Sequence, residues 1–366
     1  MYRTISRSAL LLAAAAAASV SLGAQSSTAP APKAAARPAK AWTVPHTVDG
    51  QPDLTGNWTN ATYTPLERPA ALGTKEFYTR EEAAAVEKER IAQFNSQAAD
   101  DLHYDNAIWQ NENYEKGLSS LRTSLVFDPP DGRLPPLTEE ARRRPLPPQA
   151  GSPDRRTDSI EDRTLAERCI TWGNDGPPLM PVGYNANLDI FQGPGYVVVR
   201  TEMIHSARLI PLDAARPHVG RNIKQWNGDS RGHWEGNTLV VETTNFNDRV
   251  RFRNSTSAVK VTERFTRVGP DAITYTFTVD DPTTWTRPWT AEMPLLKTQG
   301  PIYEYGCHEG NHSLRNSLSG EREYERQAAE NAKKGLPPPE RVFEYAIPST
   351  TTKAAYAGRR ERLLSL

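Results

Sequence analysis

Polar and apolar positions change their period near residue 184 of this 366-residue chain. Beyond that point apolar residues alternate with polar ones over short runs, at 196–202, 205–212, 238–246, 259–268, 273–280, 287–296 and 302–307. A period of two belongs to a strand with one buried face. Gly269-Pro270-Asp271 between two runs is a hairpin signal, and Glu235-Gly236-Asn237 opens another run with a turn. Seven or more short strands spaced by turns predict a mainly β fold. Such an antiparallel meander closes best into a lipocalin-like barrel or a strongly curved sheet, because closure removes unpaired edges. A polar helix is predicted over 320–335, followed by Pro337-Pro338-Pro339 and a C-terminal tail over 348–366.

Upstream the pattern is irregular. Asp53-Leu54-Thr55-Gly56-Asn57-Trp58 reads as a turn and a short strand. Thr79 with Glu82 forms a capping box that opens a helix to about residue 97. A second short helix starts at Thr138 and ends before Pro145, and 145–157 reads as a wrapping loop. Residues 42–160 are therefore expected to be an irregular, partly helical arm packed on a β-rich core over 161–347.

The extreme N-terminus has the form of a secretory signal over 1–24. Arg3 and Arg7 precede an apolar stretch too short to span a bilayer, and small residues lead to a cut after Ala24. The Ala/Pro-rich segment 25–41 cannot bury a core and is expected to be a disordered linker. The mature chain is thus expected in the periplasm or outside the cell, without membrane insertion. Its 44 basic and 44 acidic residues balance, which argues against a nucleic-acid surface. The two cysteines, Cys169 and Cys307, are most simply a disulfide in an oxidising compartment.

Candidate chemistry concentrates at Cys307-His308-Glu309-Gly310-Asn311-His312. His308-Glu309-x-x-His312 matches a zinc-protease pattern, which requires a helix to bring both imidazoles to one face. Gly310 and Asn311 are poor helix formers, and the preceding 302–307 run reads as a strand. A strand-to-helix turn capped by Asn311 or Ser313 and a metal-free polar site at a barrel mouth are the alternatives. Glu263 shares a face with Val259, Val261 and Phe265, so it is expected inside, with Arg287 as a plausible counter-ion. In an unbroken strand His205 would also face inward, and Arg208 outward. Trp226, Asp229, Arg231 and Trp234 fall in a Gly-rich loop suited to the wall of a ring-shaped ligand. Asp280-Asp281-Pro282 reads as a turn rather than a calcium site. No nucleophile elbow, phosphate loop, dinucleotide fingerprint or haem motif is present.

The run Gln225 through Val241 (QWNGDSRGHWEGNTLVV), with Val261-Thr262-Glu263-Arg264-Phe265, DDPTTWTRPW at 280–289 and Cys307-His308-Glu309-Gly310-Asn311, resembles a group of exported bacterial proteins usually described as hypothetical. The resemblance covers about 160–320 and implies no reaction common to the group.

Three functions follow as expectations. The first is a cofactor-free acid–base enzyme, of lyase, decarboxylase or isomerase type, acting on an aromatic or sugar-like small molecule. In it His205 or His308 would be the base, and Glu309 or Glu263 would orient it or serve as acid. Arg208 or Arg287 would hold a carboxylate, with Trp226, Asp229, Arg231 and Asn311 lining the site. The second is a zinc hydrolase using His308 and His312. The third is a binding barrel with an apolar cavity lined by Val197, Val199, Phe265 and Phe277.

Overall fold

A computed structural model describes residues 42–95, 120–145, 157–173, 175–182, 185–213, 216–250, 252–298 and 301–339. The expected signal, linker and C-terminal tail lie outside the described residues. Ten strands form one antiparallel sheet: β1 (Gly56–Thr59), β2 (Val126–Asp128), β3 (Asn187–Gly193), β4 (Tyr196–Thr201), β5 (Ala207–Pro211), β6 (Asp229–Glu235), β7 (Thr238–Thr244), β8 (Lys260–Gly269), β9 (Ala272–Asp280) and β10 (Trp289–Lys297). Nine follow the order β5-β4-β3-β1-β10-β9-β8-β7-β6, and β2 pairs with β10. The result is a nearly closed barrel, as the alternation predicts. Both β1 and β2 come from the expected arm, which therefore contributes to the sheet itself.

Strict alternation builds the interior. On β8, β9 and β10 the inward residues align in rows, Val261–Val279–Trp289, Glu263–Phe277–Ala291 and Phe265–Tyr275–Met293. Every one of these is buried. Each large apolar side chain so buried contributes about 1.5–3 kcal/mol relative to exposure. Val197, Val199, Phe265 and Phe277, expected to line an apolar cavity, keep at most 2% of their surface open. They belong to one cluster of buried residues that also takes in Tyr275, Trp285 and Trp289.

The two edge strands, β5 and β6, lie side by side without a hydrogen-bonded ladder. Gly232 makes this approach possible. A Cβ there would stand 2.9 Å from Ile210 Cγ2 and 3.0 Å from Leu212 Cδ2. One end of the barrel is shut by Trp58, whose Nε1 donates to the Leu54 carbonyl at 3.0 Å. Arg267 lies over the Trp58 ring and donates to the carbonyls of Asp53 and Pro270.

Helix α1 (Arg80–Asn95) carries the expected capping box: Glu82 N–H donates to Thr79 Oγ1, and Thr79 N–H to the Glu82 carboxylate. In α2 (Glu139–Arg143) the Thr138 hydroxyl accepts from Ala141 N–H and donates to the Thr283 carbonyl, tying the arm to the barrel. Helix α3 spans Ser313–Lys333, starting seven residues before the predicted helix. Among the described residues no helix is long and apolar enough to cross a membrane.

Two expectations are corrected. Residues 302–307 form no strand, because Cys307 ties this segment to Cys169 instead of to a sheet edge. The supposed Gly-rich loop at 226–234 becomes strand from Asp229 onward, since Ser230, Gly232 and Trp234 face the interior opposite Thr243, Val241 and Leu239.

Candidate active site at the barrel mouth

Backbone conformation at the start of β5 decides which residues enter the barrel. Ile204 and His205 occupy the left-handed region, with φ of 61° and 39°, costly for a β-branched residue. The tight turn Met203–His205 shifts the strand that follows by one position. Arg208 and Ile210 are therefore buried, while Ala207 and Leu209 are exposed. This reverses the expectation for both candidates: Arg208 faces inward and His205 outward, the exchange that a one-residue slip produces.

Inside, Arg208 donates two hydrogen bonds to Glu263, from Nη1 to Oε2 and from Nη2 to Oε1, the second at 2.9 Å. Tyr275 Oη donates to Glu263 Oε1 at 2.8 Å and accepts the Leu179 N–H at 2.9 Å. Burial disfavours the arginine's charge, but Glu263 more than offsets it and raises the guanidinium's pKa. Burial, reinforced by the Glu263 charge, holds the Tyr275 phenol well above its ordinary pKa. Arg208 Nε is buried without a hydrogen-bond partner among the described residues. Arg287, the expected counter-ion of Glu263, lies on the surface and pairs with Asp128 at 2.6 Å.

Leu179 closes this end of the barrel, and the loop before it carries the second polar group. Asp175 is 5% exposed. Its two carboxylate oxygens accept from the Thr171 hydroxyl at 2.7 and 2.9 Å. Burial pushes its pKa up to about 6, against the opposing pull of the Thr171 hydroxyl, backbone N–H groups and the Arg208 charge. Thr171 Oγ1 also lies 3.5 Å from Asn227 Oδ1, and Asn227 Nδ2 donates to Ser206 Oγ at 2.9 Å. Thr171, Asp175, Ser206, Arg208 and Asn227 are thus brought together from three separate segments, flanked in the chain by Trp172 and Trp226.

Asp175 has no counterpart in the alternation argument, because its loop has no period. The one available signal is a carboxylate set between Trp172 and the apolar Leu179-Met180.

The cover over the mouth is clipped by the disulfide Cys169–Cys307, as expected from the cysteine count. Cys169, itself left-handed at φ 54°, packs with Met203, Ile204, Tyr305 and Cys307 in a small cluster apart from the main core. His205 sits beside it, with Nδ1 3.1 Å from the Tyr305 carbonyl and Nε2 3.9 Å from Glu304. Asn311 Nδ2 lies 3.5 Å from Cys169 Sγ.

His308, Glu309 and His312 are exposed on a turn in which Gly310 has φ 67°. The two histidines do not share a helical face, so the geometry behind the zinc expectation is not formed. His312 precedes α3 without a side-chain cap, which also removes Asn311 and Ser313 as caps. Among the described residues no group of three His, Cys, Asp or Glu side chains is arranged to hold a metal ion.

Asp229 and Arg231 lie on the outer face of β6. Asp229 accepts from His218 Nδ1 (2.7 Å), Arg231 Nη1 (2.8 Å) and Val219 N–H (3.2 Å), which fastens loop 217–228 to the sheet. Trp234 packs partly buried against the core. No family model, curated protein or solved structure matches the chain.

Proposed function

We propose that the protein is a small-molecule enzyme working by proton transfer at the barrel mouth, with Asp175 as the acid–base group and Arg208 as a fixed positive charge. The observation that carries this reading is the burial of a carboxyl–hydroxyl pair beside an arginine that keeps one unpaired donor. Trp289 Nε1, on the inner face of β10, is also buried without a partner among the described residues, but of the two only the Arg208 donor belongs to a charged group next to a buried carboxyl. Leaving a buried donor unpaired costs about 1–3 kcal/mol, and burying a carboxylate costs more. Such groups concentrate where chemistry needs them.

A carboxyl with a pKa of about 6 acts as base near neutral pH and as acid a little below it. The ligand class is a small carboxylate or other oxyanion carrying a ring. With the Asp175 loop opened, its anionic end would accept from Arg208 Nε, which is buried in the closed structure, and its ring would meet the flanking Trp172 and Trp226. Glu263 holds Arg208 in place, and Tyr275 in turn holds Glu263. The reaction types that fit are elimination, isomerisation and decarboxylation, all of which need one proton moved beside a stabilised anion. Export is part of the proposal, supported by the disulfide, which is at home in an oxidising compartment.

The test is turnover of a panel of aromatic acids and uronic acids, followed by NMR between pH 5 and 8. Activity should rise through about pH 6 and fall roughly 10²–10⁴-fold in Asp175→Asn, the usual worth of a general base. Equal turnover by a folded Asp175→Asn variant would overturn the assignment.

A further inference from the structure

Two anchors bracket the loop bearing Asp175. At its far end Leu179 is fully buried and its N–H is bound to Tyr275 Oη. At its near end the anchor is the bond from Cys169 to Cys307. On the other side of that bond, segment 301–312 contains no regular structure. It touches the mouth through the Cys169–Met203–Ile204–Tyr305–Cys307 cluster, the His205–Tyr305 contact and Asn311. Three left-handed non-glycine residues, Cys169, Ile204 and His205, meet in this cluster. Such conformations persist only where the surroundings enforce them.

The two sulfurs are not equivalent. Cys169 is 7% exposed, whereas Cys307 is partly open to solvent. Asn311 presents its amide N–H to the sulfur of Cys169. An incoming thiolate therefore meets Cys307 first, and the sulfur it expels is the one with a hydrogen-bond donor beside it. Exchange is faster when the departing thiolate is stabilised.

We propose that Cys169–Cys307 is an exchangeable disulfide whose reduction by a dithiol loosens the cover over the Asp175 site. In the first step a thiolate of the dithiol bonds to Cys307 Sγ, the Cys169–Cys307 bond breaks, and Cys169 leaves as thiolate. In the second step the dithiol's other sulfur closes on the first and releases Cys307. The dithiol loses two electrons and two protons, and the two cysteines gain them. Freed of one anchor, the strained turn relaxes and the Asp175 loop swings on Leu179. This regulation rests on the reading of Asp175 as the reactive group.

The experiment is hydrogen exchange of the intact protein, read by mass spectrometry before and after dithiothreitol and again after reoxidation. Amides of 168–173, 175–178 and 301–312 should exchange at least roughly tenfold faster when reduced and recover on reoxidation, as expected for a local opening. Amides of β8 and β9 should not change. No change in the loop would overturn the proposal, and so would equal acceleration throughout the barrel, which would make the bond a staple of the whole fold. Asn311→Ala should slow reduction by dithiothreitol severalfold at equal exposure of Cys307, and an unchanged rate would refute the leaving-group argument. Exchange requires no substrate. The cover can therefore fail this test while Asp175→Asn still abolishes turnover, or pass it while that variant remains fully active.

Discussion

Replacing Asp175 with asparagine should make the protein more stable at neutral pH, by an amount that depends on pH. The folded-state pKa is raised from 3.8 to about 6, so between those values the folded chain holds more of this proton than the unfolded chain does. Stability falls with rising pH wherever the folded state binds more protons. The parent therefore has the full benefit of a neutral Asp175 below pH 3.8 and loses it progressively up to about pH 6. At 1.36 kcal/mol per pH unit, that interval amounts to about 3 kcal/mol. Asparagine remains neutral throughout and escapes the loss. Its different bonding to the Thr171 hydroxyl adds an offset that does not vary with pH. The assay is urea denaturation of parent and variant from pH 3.5 to 8, with free energies extrapolated linearly. Other carboxylates titrate in both proteins and cancel in the difference. The variant should gain about 3 kcal/mol on the parent between pH 3.5 and pH 8. A difference that is flat with pH would show that burial does not govern this carboxyl. A difference of opposite slope would show that Arg208 dominates it, and either result would refute the reasoning.

Tyr275→Phe removes one hydroxyl from the barrel centre and strands one buried partner, the Leu179 N–H, while Glu263 Oε1 keeps its bond from Arg208 Nη2. It should cost about 1–3 kcal/mol by thermal or urea denaturation, and a loss below about 0.5 kcal/mol would mean that the packing rearranges to satisfy the Leu179 N–H. Arg208→Met leaves Glu263 buried without its counter-ion and should cost about 3–5 kcal/mol, whereas Arg208→Met combined with Glu263→Leu should recover most of that loss. Arg287→Ala, at an exposed ion pair, should stay within about 1 kcal/mol of the parent; a loss as large as that of Arg208→Met would refute the placement of these two arginines.

The physical origin of what could be read in the sequence differs from residue to residue. Glu263 was legible because β8 is long and its alternation unbroken, so Val261 and Phe265 fix the face. The caps at Thr79 and Thr138 were legible because hydroxyl capping is local chemistry. Arg208 was not, because its orientation depends on left-handed backbone at Ile204 and His205, and isoleucine is among the residues least disposed to it. Strand β6 was hidden because its inward positions include Gly232, whose missing side chain makes sense only beside Ile210 and Leu212 from a distant strand. Asp175 was hidden for a related reason. Its surroundings come from Thr171, Arg208 and a hydrophobic lid, and no linear pattern records their meeting.

The seam between β5 and β6 gives the barrel a mechanical direction. Around the rest of the wall, each strand is laced to its neighbour by backbone hydrogen bonds, and a load applied there must break several bonds at once. Across the seam the wall is held by methyl groups seated against Gly232, with no ladder to rupture. A force pulling β5 away from β6 should therefore open the cylinder like a cuff, exposing the Arg208–Glu263 pair at the edge of the tear while the other eight strand junctions remain sewn.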